Sequence, residues 1–94
     1  MVKHISKSLY RRLQKLAEIT NVFIEMGRMD RASKCLIIAE QLFVAGNMAM
    51  KNIISNVYVF SVSAYMEASH IDVQILMPVN LNLAYYQQVN ASGV

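Results

Sequence analysis

The feature that most constrains the fold of this chain is the spacing of apolar residues within the stretch 16–39. Leu16, Ile19 and Phe23 recur at steps of three and four residues, and this spacing places them on one face of a helix. The apolar pattern stops at residues 27–30, where a glycine and an aspartate stand close together. We therefore expect two helices that fold back against each other around this turn.

The residues of the turn predict how the first helix ends and how the second begins. Gly27 can adopt the left-handed conformation that closes a helix. Asp30 is expected to cap the second helix, because its carboxylate can accept hydrogen bonds from free backbone amides. Ala32, Leu36 and Ala39 then continue an apolar face that should point inward.

The order of large and small side chains in this stretch resembles a tetratricopeptide (TPR) unit. In that family a first helix carries large and small residues and an aromatic, a glycine follows near the turn, and a second helix alternates small and bulky residues. The positions that match the pattern are Leu16, Ile19, Thr20, Phe23, Gly27, Ala32, Leu36 and Ala39. Small residues at Thr20, Ala32 and Ala39 let helix axes approach closely. The resemblance implies stacked helical hairpins.

The rest of the chain is predicted to add further helices. The second helix should span residues 30–45, and Asn47 should cap a third helix over residues 48–68. Residues 57–66 also fit a strand, because they are β-branched and aromatic with near alternation. We favour the helix because of its length and its cap.

A faint internal repeat supports a second hairpin. Residues 23–30 align with residues 65–72, so both segments should contain a helix end, a turn and an aspartate cap. Beyond the repeat, residues 73–77 are expected to be extended or a short turn, and a last helix should cover residues 78–89, starting at a proline. Whether residues 73–83 are helix or strand stays open at this stage.

Length predicts one domain over residues 1–94. The helical spacing and the TPR resemblance together imply that this domain is all-α, with three to four helices in stacked, TPR-like hairpins. Hydrophobic residues make up 55% of the chain and charged residues only 16%, which is more apolar surface than a small monomer readily hides. Exposed apolar surface usually marks a protein partner, although a dense small core is the alternative. We expect self-association or a hetero-oligomer.

Charge is divided unevenly between the two halves. Residues 1–51 contain all nine Lys and Arg and four acids, a net charge of +5, whereas residues 52–94 contain two acids and no base. Acid-free residues 1–17 alternate basic and apolar side chains, with bases at Lys3, Lys7, Arg11, Arg12 and Lys15. Such a helix serves as a solvated outer face, as a membrane-surface or presequence element, or as a contact to nucleic-acid phosphate.

Residues with catalytic or ligand-binding chemistry are sparse. The single cysteine, Cys35, is expected to be a buried, inert thiol in a reducing compartment. His4 and His70 are isolated from it and from each other, and the three glycines do not form a phosphate-binding loop. We therefore expect neither an enzyme nor a cofactor or metal site. Without a signal peptide or a transmembrane segment, a cytoplasmic location is expected.

The most plausible function is that of a protein-binding module that holds an amphipathic helix of a partner in an apolar groove. From the helical spacing and the internal repeat, the side chains expected to face that groove are Asn21, Ile24, Ser63 and Met66. In size, TPR-like pattern and apolar surplus the chain resembles the short chaperones of bacterial type III secretion systems. The resemblance implies a role in keeping needle or translocator subunits unassembled in the cytoplasm, within a heterodimer or heterotrimer.

A small nucleic-acid-binding regulator is the alternative. Residues 39–57 fit a helix-turn-helix with a glycine in the turn, and the chain is basic overall. The recognition helix would carry only Lys51 as a base, and few side chains of that helix would read base edges.

Overall fold

The computed structural model describes residues 2–92 of the chain and the side chains of residues 7–90. All of the secondary structure in this part of the chain is helical, which confirms the predicted all-α class. In order along the chain, α1 is Val2–Glu25, α2 is Met29–Ala45, α3 comprises the consecutive segments Met48–Ile53, Ile54–Val59 and Phe60–Ala68, α4 is Val73–Leu76, and α5 is Val79–Ser92.

These bounds decide two alternatives that the sequence left open. Residues 57–66 lie within α3, so the strand alternative is wrong there. Residues 73–76 form a single helical turn rather than an extended segment. The longer helices form two helical hairpins, and stacking of the TPR type stays a prediction.

The turn between α1 and α2 has the predicted left-handed glycine. Gly27 has a φ of 75°, its N–H donates to Ile24 O at 3.0 Å, and the N–H of Arg28 donates to Phe23 O at 2.8 Å. This pair of hydrogen bonds is a Schellman motif, in which a left-handed residue satisfies the last carbonyls of a helix. The short connection makes α1 and α2 antiparallel neighbours.

The predicted cap at Asp30 is wrong. Helix α2 begins one residue before Asp30, and the capping residue is Arg28, whose side chain makes no capping hydrogen bond. The Schellman motif already positions Arg28, whose carbonyl accepts from the N–H groups of Arg31 and Ala32 and so starts the helix early. Asp30 lies in the first turn, where the helix dipole favours a carboxylate, and it pairs with Arg28 at 3.8 Å.

Helix α2 buries the predicted face, and Ala32, Leu36 and Ala39 are all fully buried. On α1 the predicted face is rotated. The buried residues are Leu13, Ala17, Thr20 and Ile24, whereas Leu16 and Phe23 are only half-buried and Ile19 is exposed. The reason is that α1 packs against both α2 and α3, so the residues between these two contacts, rather than those facing α2 alone, form the core.

Helix α3 begins at the predicted cap, where Asn47 Oδ1 accepts from the Met50 N–H at 2.9 Å. Its middle segment, Ile54–Val59, is a π-helix, and the Phe60 N–H that follows donates to the carbonyl of Ser55, five residues earlier. Buried residues recur at every fourth position in this region: Ile54, Tyr58, Val62 and Met66. In a straight α-helix a step of four drifts by about 40°, since each residue turns about 100°. The wider π turn offsets this drift and keeps the four side chains in the core.

A buried hydrogen bond joins the two hairpins in the core. Thr20 Oγ1 and the Tyr58 hydroxyl lie 2.7 Å apart, and Thr20 also donates to Leu16 O at 2.8 Å. A threonine hydroxyl has one hydrogen, so Tyr58 is the donor in the bond between the hairpins. Burial raises the pKa of the Tyr58 phenol above its ordinary value, which keeps this donor protonated.

The end of α3 repeats the end of α1. His70 has a φ of 62°, its N–H donates to Glu67 O at 3.1 Å, and the Ile71 N–H donates to Met66 O at 2.8 Å. The hydrogen bonds are those of the Schellman motif at Gly27, with a histidine as the left-handed residue. Asp72 then accepts from the Gln74 N–H at 3.0 Å, which confirms the aspartate cap predicted from the repeat.

Helix α5 begins at Val79, one residue after the predicted start, and a side chain from another helix caps it. The carboxylate of Glu40, on α2, accepts from the backbone N–H groups of Asn80 at 3.1 Å and Leu81 at 3.0 Å. The Asn80 side-chain amide donates to the same carboxylate at 2.9 Å. Glu40 therefore satisfies free amides at the start of α5 and fixes this helix against the first hairpin.

Candidate protein-binding groove

A groove of about 400 Å³ lies between the segment Phe60–Ala68 of α3 and helix α5. Phe60, Ala64 and Glu67 are spaced by four and three residues, so they share one face of α3. Residues of α5 form the other wall. The lining residues are Phe60, Ser63, Ala64, Glu67, Tyr85, Gln88 and Val89.

Polar contacts between α3 and α5 hold the two walls of this groove. The Tyr85 hydroxyl donates to the carboxylate of Glu67. The side-chain amide of Gln88 donates to Ser55 Oγ at 2.9 Å and to the Ser55 carbonyl. Ser55 lies in the π-helical segment, so α5 is tied to the part of α3 where the backbone departs from an α-helix. The groove is thus a formed feature of the fold rather than a gap between independent helices.

Glu67 sets the electrostatics of the groove. It is the only charged side chain among the lining residues, and residues 52–94 contain no Lys or Arg. The hydrogen bond to Glu67 raises the pKa of the Tyr85 phenol to about 12, so Tyr85 stays a neutral donor in ordinary buffers. The lining of the groove therefore carries one negative charge and no positive charge.

The rim of the groove is apolar and open to solvent. Phe60 is 63% exposed and Val89 is 44% exposed, although exposing a large apolar side chain to water costs free energy. Ala64, which also lines the groove, is small and exposed, so its side chain takes up little of the space. Exposed apolar side chains around a groove with a few polar groups are typical of a surface that binds another protein.

The structure places the four predicted partner-binding residues differently from the expectation. Ile24 is 6% exposed and Met66 is fully buried, so the prediction that they face an open groove is wrong for this conformation. Helix α3 packs on the side of α1 that carries Ile24, and both side chains fill the space between these helices. Asn21 is half-buried, and its side-chain oxygen has no hydrogen-bond partner among the described residues. Ser63 is buried and lines the observed groove.

Apart from Ser63, sequence reasoning missed the residues that form the groove. The spacing of Phe60, Ala64 and Glu67 was a usable signal, because a large apolar residue stands on the same face as a charge. The contacts of Tyr85 and Gln88 had no such signal, since they depend on how α5 packs against α3 across 18 and 33 residues. The buried, free thiol of Cys35 agrees with the sequence prediction.

Two further properties of the described residues bear on the kind of site. None of the helices in the described part of the chain is long and apolar enough to cross a membrane. No three His, Cys, Asp or Glu residues are grouped in a way that would hold a metal ion among the residues the structure describes.

Comparison with known proteins gives a family but no characterised relative. No curated protein and no solved structure matches the chain significantly. One family model matches residues 2–91, and its description is that of a domain of unknown function, DUF7674. Since the match covers almost the entire sequence, the chain belongs to the DUF7674 family.

Proposed function

We propose that this domain is a protein-binding module that holds an amphipathic helix of a partner protein in the groove between α3 and α5. The observation that carries the proposal is the exposed ring of Phe60 at the rim of that groove, opposite Val89 on α5. An amphipathic helix laid along the groove would place apolar residues at steps of three and four over these two side chains. Burying these two side chains against the partner would remove apolar surface from water and so contribute favourable free energy to binding.

The charge of the groove narrows the chemistry of the partner. Glu67 lies on the groove wall, and residues 52–94 supply no cation to neutralise it. A partner helix with a lysine or arginine on the edge of its apolar face would pair with Glu67 and leave no unpaired charge. We expect the bound segment to be basic as well as amphipathic.

The resemblance to short type III secretion chaperones suggests a more specific form of this proposal. Such chaperones keep helical subunits from assembling, and covering an apolar helix face is a direct way to do so. On this hypothesis the partner is a secreted helical subunit, and the working form is a hetero-oligomer. The alternative, a helix-turn-helix over residues 39–57, gains little support, because Lys51 lies over the Phe43 ring at 5.8 Å rather than projecting freely.

The experiment compares two variants that introduce the same charge at exposed apolar positions. Phe60→Asp alters the groove rim, whereas Ile75→Asp alters a side chain that is 83% exposed outside the groove. The tagged domain and both variants are used to isolate partners from a lysate of the host, and cross-linking mass spectrometry locates the bound segment. The affinity of a synthetic peptide of that segment is then measured by calorimetry.

We expect Phe60→Asp to weaken peptide binding at least tenfold and Ile75→Asp to leave it within about twofold, since an aromatic side chain that a partner covers completely is a typical hot spot. The cross-linked segment should have apolar residues at helical spacing and at least one base. Equal affinities for the two variants, or a bound segment without helical apolar spacing, would refute the proposal.

A further inference from the structure

The first half of α1 presents a row of exposed basic side chains. Lys7, Arg11 and Lys15 are four residues apart, so they follow one outer face of the helix over about 12 Å. Arg12 lies beside this row, and a shallow depression is lined by Lys7, Ser8, Arg11 and Arg12. These residues are all exposed. Lys3 extends the pattern in the sequence but lies outside the residues whose side chains are described.

No carboxylate forms an ion pair with this row within the described part of the chain. The ion pair that the structure shows there joins Arg28 and Asp30, at the far end of α1. The first acid of the sequence is Glu18, which follows the last base of the row. Four positive charges within three turns repel one another, so the row raises the free energy of the isolated domain and favours an anion at this surface.

The packing of α1 argues against a membrane surface as the anion. An interfacial helix binds a bilayer by inserting its apolar face. In α1 that face is in the core, where Leu13 and Ala17 are buried against the other helices. The side facing solvent at residues 7–15 is almost entirely polar, with only the half-exposed ring of Tyr10 at its border.

The same observation argues against an acidic protein partner. Stable protein interfaces depend on a few apolar or aromatic anchors that become fully desolvated. Binding to a phosphodiester backbone needs no such anchors, because release of counterions supplies most of the free energy. Arginine forks and a serine hydroxyl, both present here, are the groups that usually contact phosphate oxygens.

We propose that the basic row of α1, formed by Lys7, Arg11, Arg12 and Lys15, binds the phosphodiester backbone of nucleic acid without reading its sequence. The contact is separate from the groove between α3 and α5, so it does not depend on the protein partner proposed above. It also differs from the helix-turn-helix alternative, because α1 rather than α3 supplies the cations.

Fluorescence anisotropy with a labelled 20-base-pair DNA duplex tests the proposal, at salt concentrations from 50 to 200 mM. Four phosphate contacts predict a slope of about −3.6 in a plot of log affinity against log salt, which is roughly a hundredfold loss of affinity over this range. In the variant Arg11→Glu/Arg12→Glu, we expect affinity to fall at least tenfold at 50 mM salt and the slope to halve. A second duplex of unrelated sequence should bind equally well.

The matched control is Arg31→Glu/Lys34→Glu, which changes the net charge by the same amount at exposed positions of α2. Its affinity should stay within about threefold of the unmodified domain, and circular dichroism should show both variants folded. Equal losses of affinity in the two variants would mean that only the net charge of the domain matters, and this would overturn the proposal. So would a dissociation constant above about 100 μM at 50 mM salt, which is weaker than ordinary non-specific binding. Preferential binding of phosphatidylserine vesicles or of polyglutamate would overturn it in favour of a membrane or an acidic protein.

Discussion

The two hairpins of this domain end their first helices with the same backbone geometry but are held together differently. In the first hairpin the left-handed residue is Gly27, and small residues such as Ala32 and Ala39 bring the helices together. In the second hairpin the left-handed residue is His70, and polar side chains tie α5 to its neighbours. Local spacing therefore determines the first hairpin, whereas contacts between distant residues determine the second.

The largest expected effect tests whether both hairpins contribute to one core. Met66→Asp and Ile24→Asp each place a carboxylate among buried apolar side chains, and each should lower the free energy of unfolding by about 3 kcal/mol or more. Urea unfolding followed by circular dichroism measures this. Met26→Asp, at a side chain that is 62% exposed, is the control and should cost little. A fully stable Met66→Asp variant would mean that position 66 is exposed, as the sequence analysis predicted, and not buried in the core.

The next effect concerns the hydrogen bond between the hairpins. Thr20→Val removes the acceptor and leaves the Tyr58 O–H buried without a partner, so we expect a loss of about 2 kcal/mol. Tyr58→Phe removes the donor and leaves Thr20 bonded to Leu16 O, so its cost should be nearer 1 kcal/mol. The double variant should be more stable than the sum of the two losses implies. Equal costs for the single variants would mean that Tyr58 is not the donor.

The two helix ends should respond to substitution in opposite directions. A β-carbon at Gly27 would meet no atom within 4 Å, so Gly27→Ala should destabilise only through its left-handed backbone, by about 1 kcal/mol. Gly27→Val should cost more, because a β-branched residue is strained there. His70→Gly should stabilise the domain by about 0.5 kcal/mol. Thermal unfolding measures all three, and a lower Tm for His70→Gly would contradict the comparison.

The smallest expected effect is a change in the stability of the domain at alkaline pH, which arises in the second hairpin. Because the contact with Glu67 raises the pKa of Tyr85 to about 12, its protonated form is favoured in the folded state. Its contribution to stability should be complete below pH 10 and should be lost as the pH rises towards 12. Urea unfolding at pH 9, 10 and 11 should show a steeper decline for the unmodified domain than for Tyr85→Phe. Parallel declines would mean that Glu67 and Tyr85 are not coupled.

The sequence predicted the features of the fold that depend on local spacing and missed those that depend on contacts between distant residues. Four predictions were correct: the turn at Gly27, the inward face of α2, and the caps at Asn47 and Asp72. Each of these features depends on residues within one or two helical turns. The buried face of α1 was predicted one position away from the true one. Apolar spacing on a single helix does not reveal that two neighbours pack against it at once.

The candidate site was predicted less well than the fold. Of the four expected partner-binding residues only Ser63 lines the groove, and the prediction failed for Ile24 and Met66 because they were assumed to face away from the neighbouring helix. The cap that Glu40 provides for α5 was likewise invisible, since it joins residues about 40 positions apart. Contacts of this kind depend on tertiary packing, which no local pattern of residue types encodes.

The π-helical segment of α3 has a consequence for how the family can vary in length. Because a π turn is wider than an α turn, Ile54–Val59 holds about one residue more than an α-helix needs for the same rotation. Deleting one residue there would restore a regular α-helix and leave Phe60–Ala68 close to its present orientation, with Met66 still in the core. Deleting one residue between positions 60 and 65 would instead rotate the rest of α3 by about 100° and put Glu67 at the buried position of Met66. Across the family we therefore expect single-residue deletions within α3 to fall at residues 54–59.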